Sequence, residues 1–472
     1  MRNHLFLLLA LTGITCLTSC QPATPKKDTK PSQYAEQYVQ VSTYILENWH
    51  SSKVDSTSWK MPGSINLPKP YFSIAPNRNV QFYWDSYFTN AGLLLVDSLQ
   101  EFAVNATDNL LYEVDTLGYV PNASEPWALN RSQTPFLSMM VRDVYEKTPS
   151  KDKDWLKRAY FTLKKEYTFW TDTSSHAIED HTTTVAGLQR FYHHADEKEL
   201  LAFYDQMKGR FSFPENLSRE EKLEIASNWL PEAETMDFTP RYDHHCPNFA
   251  SVDLNANLYM YEKNFAWMIK ETGIAKSGEP DWENLARQRK NLINRYLWND
   301  DRGLYMDYDF VHHRFAGLPC VVTLYPLWAG LASKEQARKV VKNLPLLEFD
   351  YGVTICAKAE HEHTYQWDYP AGWPPMYYLS VRALDNYGYK KEAGQIAQDY
   401  LDILTKNFLH PEPAFAVEKS SHDTTWREPG KIYEKYNVTD GKILDNEYIS
   451  RPFLGWTSGV FIYLRNYMEK SR

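Results

Sequence analysis

The chain is poor in cysteine, has no long apolar run beyond its first twenty residues, carries no excess of positive charge and shows little strand-like alternation. Its 472 residues include five cysteines. Cys16 and Cys20 fall in the N-terminal leader, which leaves Cys246, Cys320 and Cys356, an odd and widely spaced set that argues against a disulfide framework. Asp243, His244, His245 and Cys246 stand next to one another, but adjacent residues rarely converge on one ion without further ligands at zinc-like spacing. His361 and His363, beside Glu360 and Glu362, read as a polar loop. No run after the leader approaches the ~20 apolar residues that a membrane-crossing helix needs. With 51 Lys and Arg against 60 Asp and Glu, a net charge of −9, the chain lacks the basic face that nucleic acid requires. That balance suits a neutral ligand in an extracytoplasmic space.

The first twenty residues have the form of a bacterial lipoprotein signal. Arg2 gives a positive start, Leu5 to Leu11 an apolar centre, and Leu17-Thr18-Ser19-Cys20 a lipobox. Residues 1–20 are therefore expected to be a signal peptide, with lipid on Cys20. Residues 21–32 are rich in Pro, Lys, Thr and Asp without apolar periodicity, and read as a flexible tether. Gln21 is not the aspartate that in some bacteria retains lipoproteins in the inner membrane, so an outer-membrane anchor is expected, on either its periplasmic or its surface face. No Pro/Gly/Ser linker interrupts the chain after Ser32, so residues 33–472 read as one domain.

Within that domain helical periodicity recurs from end to end. From Tyr389 to Phe408 the apolar positions Ala393, Ile396, Ala397, Tyr400, Ile403, Leu404 and Phe408 recur at intervals of three and four, one face of a helix. Similar stripes run through residues 34–49, 136–145, 155–170, 254–269, 282–297 and 456–468. The fold class is all-α.

Two stretches concentrate aromatic rings and carboxylates: Phe82-Tyr83-Trp84-Asp85-Ser86-Tyr87-Phe88 and Gln366-Trp367-Asp368-Tyr369-Pro370-Ala371-Gly372-Trp373-Pro374-Pro375. An indole face can lie against the C–H face of a pyranose while neighbouring carboxylates and amides bind its hydroxyls. Aromatic runs also serve simply as packed core. Breaking a glycosidic bond without a metal needs one protonated carboxyl to donate to the leaving oxygen and one ionised carboxyl to activate water or attack carbon. In Glu232-Ala233-Glu234-Thr235-Met236-Asp237, Glu232 and Glu234 crowd the short loop of Asp237, and like charges close together raise a carboxyl pKa toward what an acid catalyst requires. The plainer fate of Asp237 is a pair with Arg241 four residues later. In Tyr433-Glu434-Lys435-Tyr436-Asn437-Val438, Glu434 taken by itself reads as a solvated neighbour of Lys435.

In this order, the two aromatic stretches resemble the signature regions of the trehalases, glycoside hydrolase family 37. So do the stretch from Glu232 to Tyr242, the C-terminal Asn446-Glu447-Tyr448 and Phe453-Leu454-Gly455-Trp456-Thr457-Ser458-Gly459-Val460, and the pair Gly118-Tyr119-Val120-Pro121-Asn122 and Asn130-Arg131-Ser132-Gln133. The resemblance implies an (α/α)6 toroid, or six-hairpin barrel, with these motifs on loops between helices. It implies inverting hydrolysis of trehalose to glucose, with Asp237 as general acid and Glu434 as general base. Trp84, Asp85, Asn122, Arg131, Gln366, Trp367, Asp368 and Glu447 would then shape the sugar site. No cofactor or metal is implied; the partners are a small carbohydrate and, through the lipid, the outer membrane, and the oligomeric state is left open. Some family elements are absent. Ala75-Pro76-Asn77-Arg78-Asn79-Val80 stands where a Pro-Gly-Gly-Arg-Phe element belongs, a Pro-Arg-Pro-Glu-Ser element is missing, and the glycine-rich loop shrinks to Asp440-Gly441-Lys442. These departures keep two rivals in view, a toroid hydrolase of another α-glucoside or oligosaccharide and a non-catalytic sugar-binding lipoprotein.

Overall fold

A computed structural model describes residues 31–171, 176–178, 185, 187–413 and 427–471. The signal, Cys20 and most of the tether lie outside the described residues.

Helices Tyr83–Leu93, Leu137–Lys147, Val252–Thr272, Tyr325–Trp328, Pro374–Asn386 and Trp456–Lys470 pack successively around a ring, and the last closes on the first. Helices Tyr38–Asn48, Gln100–Leu117, Lys153–Thr171, Trp282–Leu292, Lys334–Asn343 and Lys390–Leu409 form the outer layer. This is the (α/α)6 toroid. The two layers differ in how they are buried. Every residue of Tyr83–Leu93 is buried, as an inner helix surrounded by protein requires. The outer helix Lys334–Asn343 buries only Ala337, Val340 and Val341, and starts with a capping box between Ser333 and Gln336. The stripes read from sequence all fall on helices, and Lys390–Leu409 buries each of its seven expected apolar positions. Strands are two-residue ladders.

Two of these small pairings organise the loop end of the toroid. Ala371–Gly372 pairs antiparallel with Tyr436–Asn437, which sets the second aromatic signature beside the Glu434 loop. A single bridge between Phe82 and Ala123 does the same for Trp84 and Asn122. One hairpin lies outside the double ring. Its helices, Glu197–Met207 and Arg219–Trp229, each begin with a capping box and share an apolar cluster with Phe211 and Phe238. Cys320 and Cys356 face each other across an isolated bridge, and they and Cys246 are buried free thiols.

Ring closure depends on two glycines. A Cβ on Gly459 would meet the Phe88 carbonyl oxygen at 2.2 Å, and one on Gly92 would meet Gly459 Cα at 2.6 Å. Both obstacles are backbone, so neither can rotate away. Gly459→Ala is therefore expected to cost about 1–3 kcal/mol by overpacking, read as a lowered thermal midpoint; an unchanged midpoint would contradict this account of closure.

Candidate active site

A cavity of about 1020 Å³ opens at the loop end of the ring. Asp237, Glu434, Asp85, Glu447, Trp84 and Gln366 all line it, although almost two hundred residues separate the two candidate catalytic carboxylates in the chain. Asp85 comes from the first turn of an inner helix. The Trp84-Asp85 motif is thus helical rather than on a loop, and the Trp84 N–H, one of the helix's unpaired donors, is taken by Gln133 Oε1 at 3.0 Å.

The loop that carries Asp237 is held on both sides. Upstream, buried Glu234 accepts from the backbone N–H groups of Ser132 (2.9 Å) and Tyr192 (2.8 Å) and contacts His176 Nε2 at 3.1 Å. Downstream, Arg241 is buried between two carboxylates. It donates to Asp253 from Nη1 and Nη2 at 2.9 and 3.1 Å, and to Asp307 from Nε and Nη2, both at 3.0 Å. Arg241 therefore pairs with these two partners and leaves Asp237 free. Between the anchors Phe238 holds φ +56°, a left-handed conformation unusual for a bulky residue, and its carbonyl accepts from the Trp367 N–H at 3.2 Å.

Burial raises the Asp237 carboxyl to about 6; Arg131 and Arg210 oppose that rise and Glu434 adds to it. The rise has the direction expected from crowding like charges, but its agent is burial. Glu232 and Glu234 point into their own hydrogen bonds and are not what lifts Asp237. Burial also raises Glu434, while Lys435, a 2.6 Å hydrogen bond from Tyr448 Oη to Glu434 Oε2, and Arg78 pull it back toward the ionised form. Lys435 is itself buried and donates to Asn446 Oδ1 at 2.6 Å. The picture of a solvated Glu434–Lys435 surface pair does not apply. Burial, and then Asp237 and Glu434, push the Asp85 carboxyl well above the usual carboxylate range.

Glu447 is raised to about 7, chiefly by burial, and Arg210 donates to both Glu447 Oε2 and Gln366 Oε1. Among the described residues Glu447 Oε1 has no hydrogen-bond partner. Four expected site residues sit behind the cavity wall. The Asn122 amide donates to the carbonyls of Ser132 (3.2 Å) and Ala233 (2.9 Å), tying two site loops together. Arg131 donates to Trp127 O at 3.0 Å and Asn130 Oδ1 at 2.9 Å, and its charge reaches Asp237. Trp367 stacks on Trp373 at 4.1 Å, with both rings buried. Asp368, raised to about 6 by burial, accepts from the Tyr369 N–H at 2.7 Å and faces His361 at 3.3 Å.

Sequence reasoning passed over Arg210 and Tyr448. Arg210 lies in the extra hairpin, in a Lys208-Gly209-Arg210 stretch that no signature marks. Tyr448 directly follows Glu447, and that adjacency was its one available signal. Arg78 lines the cavity despite the altered element around it. Among the described residues no cluster of His, Cys, Asp and Glu could hold a metal ion.

The Trehalase family model matches residues 67–469. A cytosolic neutral trehalase of Kluyveromyces lactis is 31% identical over 454 residues, covering 85% of this chain and 56% of its own length. A probable trehalase of Saccharomyces cerevisiae is 30% identical over 453 residues, covering 85% and 55%. The chain thus spans about half the length of these curated relatives. Among solved structures, the neutral trehalase Nth1 of Saccharomyces cerevisiae superposes with a TM-score of 0.65 at 24% identity, covering 93% of this chain and 81% of that one. A GH63 mannosylglycerate hydrolase from Thermus thermophilus shares the fold with a TM-score of 0.57 at 15% identity, covering 90% and 99%.

Tyr448→Phe deletes the hydroxyl that opposes the burial-driven rise of the Glu434 carboxyl, so that carboxyl is expected to titrate at higher pH in the variant. Selective ¹³C labelling of glutamate, followed through a pH titration, measures this. A Glu434 midpoint that stays put or falls would refute the role given to Tyr448.

Proposed function

The chain belongs to the trehalase family, and from that premise we propose that it hydrolyses the α,α-glucosidic bond of trehalose to glucose with inversion, using Asp237 as general acid and Glu434 as general base. The observation that carries this reading is the meeting, in one cavity, of a carboxyl raised to about 6 and a second carboxyl on which a tyrosine and a lysine oppose the rise that burial causes. That asymmetry is what acid–base cleavage asks of two like groups.

In this mechanism protonated Asp237 gives its proton to the bridging oxygen as the glycosidic bond breaks. Glu434 takes a proton from a water that attacks the anomeric carbon from the opposite face. Positive charge grows on the sugar ring in the transition state, and the carboxylate of Glu434 stabilises it. In its protonated form buried Asp85 can donate to a sugar hydroxyl, and the unpaired Glu447 Oε1 can accept from one. Arg210 holds Glu447 and Gln366 in place for that task. Catalysis needs Asp237 protonated, so kcat/KM is expected to fall as pH rises through about 6.

The leader motif supports a further part of the proposal: the chain is exported and anchored through lipid on Cys20 at the outer membrane. A second substrate reading, hydrolysis of another α-glucoside, is favoured by the family pocket elements that this chain lacks. Glucose release from trehalose beside maltose, isomaltose, kojibiose and nigerose separates the two readings. Release from trehalose alone supports the proposal, and turnover confined to another sugar overturns it.

Asp237→Asn keeps the shape and removes the proton. It is expected to lower kcat roughly 10²–10⁴-fold while trehalose still binds within a few-fold of its original affinity, measured by calorimetry. Turnover at the original rate would refute the assignment of the acid.

A further inference from the structure

The described tryptophans are almost all buried or half-buried; Trp59 and Trp127 are the exceptions, 71% and 48% exposed. Trp59 lies in a segment bonded to the rim of the catalytic cavity. Trp127 lines the cavity. Its indole is fixed without any ligand: Nε1 donates to Glu125 Oε2 at 2.6 Å, the Arg131 guanidinium lies 5.6 Å from the ring centroid, and Phe82 packs at 6.1 Å.

Trp59 is tied to two rim segments. Its carbonyl accepts from Asn79 Nδ2 at 2.6 Å, directly after the cavity-lining Asn77 and Arg78. The turn that follows grips the Trp127 segment, with the Ile65 N–H donating to Ser124 O at 2.9 Å and the Cβ position of Gly63 lying 3.0 Å from Pro126 Cγ. Leaving two large indoles in water forgoes burial that the rest of the chain gives its tryptophans. The volume points the same way. At about 1020 Å³ the cavity lies at the upper end of the ~300–1,000 Å³ usual for small-ligand pockets, which leaves room beyond two sugar rings.

We propose that Trp127 and Trp59 form an outer carbohydrate subsite for a third hexopyranose ring, attached to the mouth-facing glucose of the substrate. The inference rests on the trehalose reading for the identity of the two inner rings only. Because the two glucose units of trehalose are equivalent, the unit that carries the added glucosyl group can always be the mouth-facing one. The ligand class is thus a glucosylated trehalose, its outermost ring stacked by its C–H face on indole.

Calorimetry on the full chain carrying Asp237→Asn, which holds sugar without cleaving it, tests this. The probes are trehalose, trehalose bearing one further glucosyl group, and maltotriose. The glucosylated trisaccharide is expected to bind roughly three- to ten-fold tighter than trehalose. Adding Trp127→Ala should abolish that preference, Trp59→Ala should reduce it, and Trp127→Phe should keep part of it. Thermal melting verifies that these exposed substitutions leave the fold intact. Equal affinities in the parent protein, or a preference that survives Trp127→Ala, would overturn the subsite. If trehalose fails to bind while maltotriose binds and depends on Trp127, the subsite stands and the trehalose reading falls.

Discussion

The acid loop hangs on one buried guanidinium. Arg241 makes four charge-assisted bonds to Asp253, in the first turn of an inner helix, and to Asp307, beside a small hairpin. Removing the cation would leave two buried carboxylates unpaired, a loss on the order of 3–5 kcal/mol. Asp307 also accepts the N–H of Val252 at 2.9 Å, so the same cluster fixes the start of the helix Val252–Thr272. Asp237 stands four residues before Arg241 and three after Glu234, whose carboxylate is pinned from the other side. The position of Asp237 is therefore set by ion pairs and backbone donors in the interior.

The same cavity separates its carboxyls by environment. Asp85, Asp237, Glu434 and Glu447 share one space, and burial raises them all. What distinguishes them is the cation or hydroxyl that each receives. Glu434 has Lys435 and Tyr448, Glu447 has Arg210, Asp237 feels Arg131 and Arg210 from a distance, and Asp85 has no cation among the causes of its shift. The loops supply the counter-charges and the toroid supplies the dry wall.

Much of this was legible in the sequence, for physical reasons. Outer helices bury one stripe, so Ala393, Ile396, Tyr400 and Leu404 declare Lys390–Leu409 by their spacing. The inner helix Tyr83–Leu93 is buried all round and has no stripe to read, so its spacing does not declare it. Asp237 and Glu434 were found through local motifs, and the fold then brought them together. Trp367 and Trp373 looked like a sugar platform, but the structure stacks them on each other with Trp456 at their edges. Residue type cannot distinguish an indole that faces a ligand from one that faces another indole. Arg210 was invisible because its role depends on an extra hairpin folding back over the cavity, a long-range contact that its neighbours in sequence do not encode.

The central claim is that one buried acid and one steered base cleave the bond in a single inverting step. Proton NMR of the first turnovers of trehalose tests this directly, before mutarotation mixes the anomers. The account predicts α- and β-glucose in equal initial amounts, the β anomer coming from the ring that water attacked. Initial release of α-glucose alone would mean retention through a covalent intermediate, and would contradict the roles given to Asp237 and Glu434.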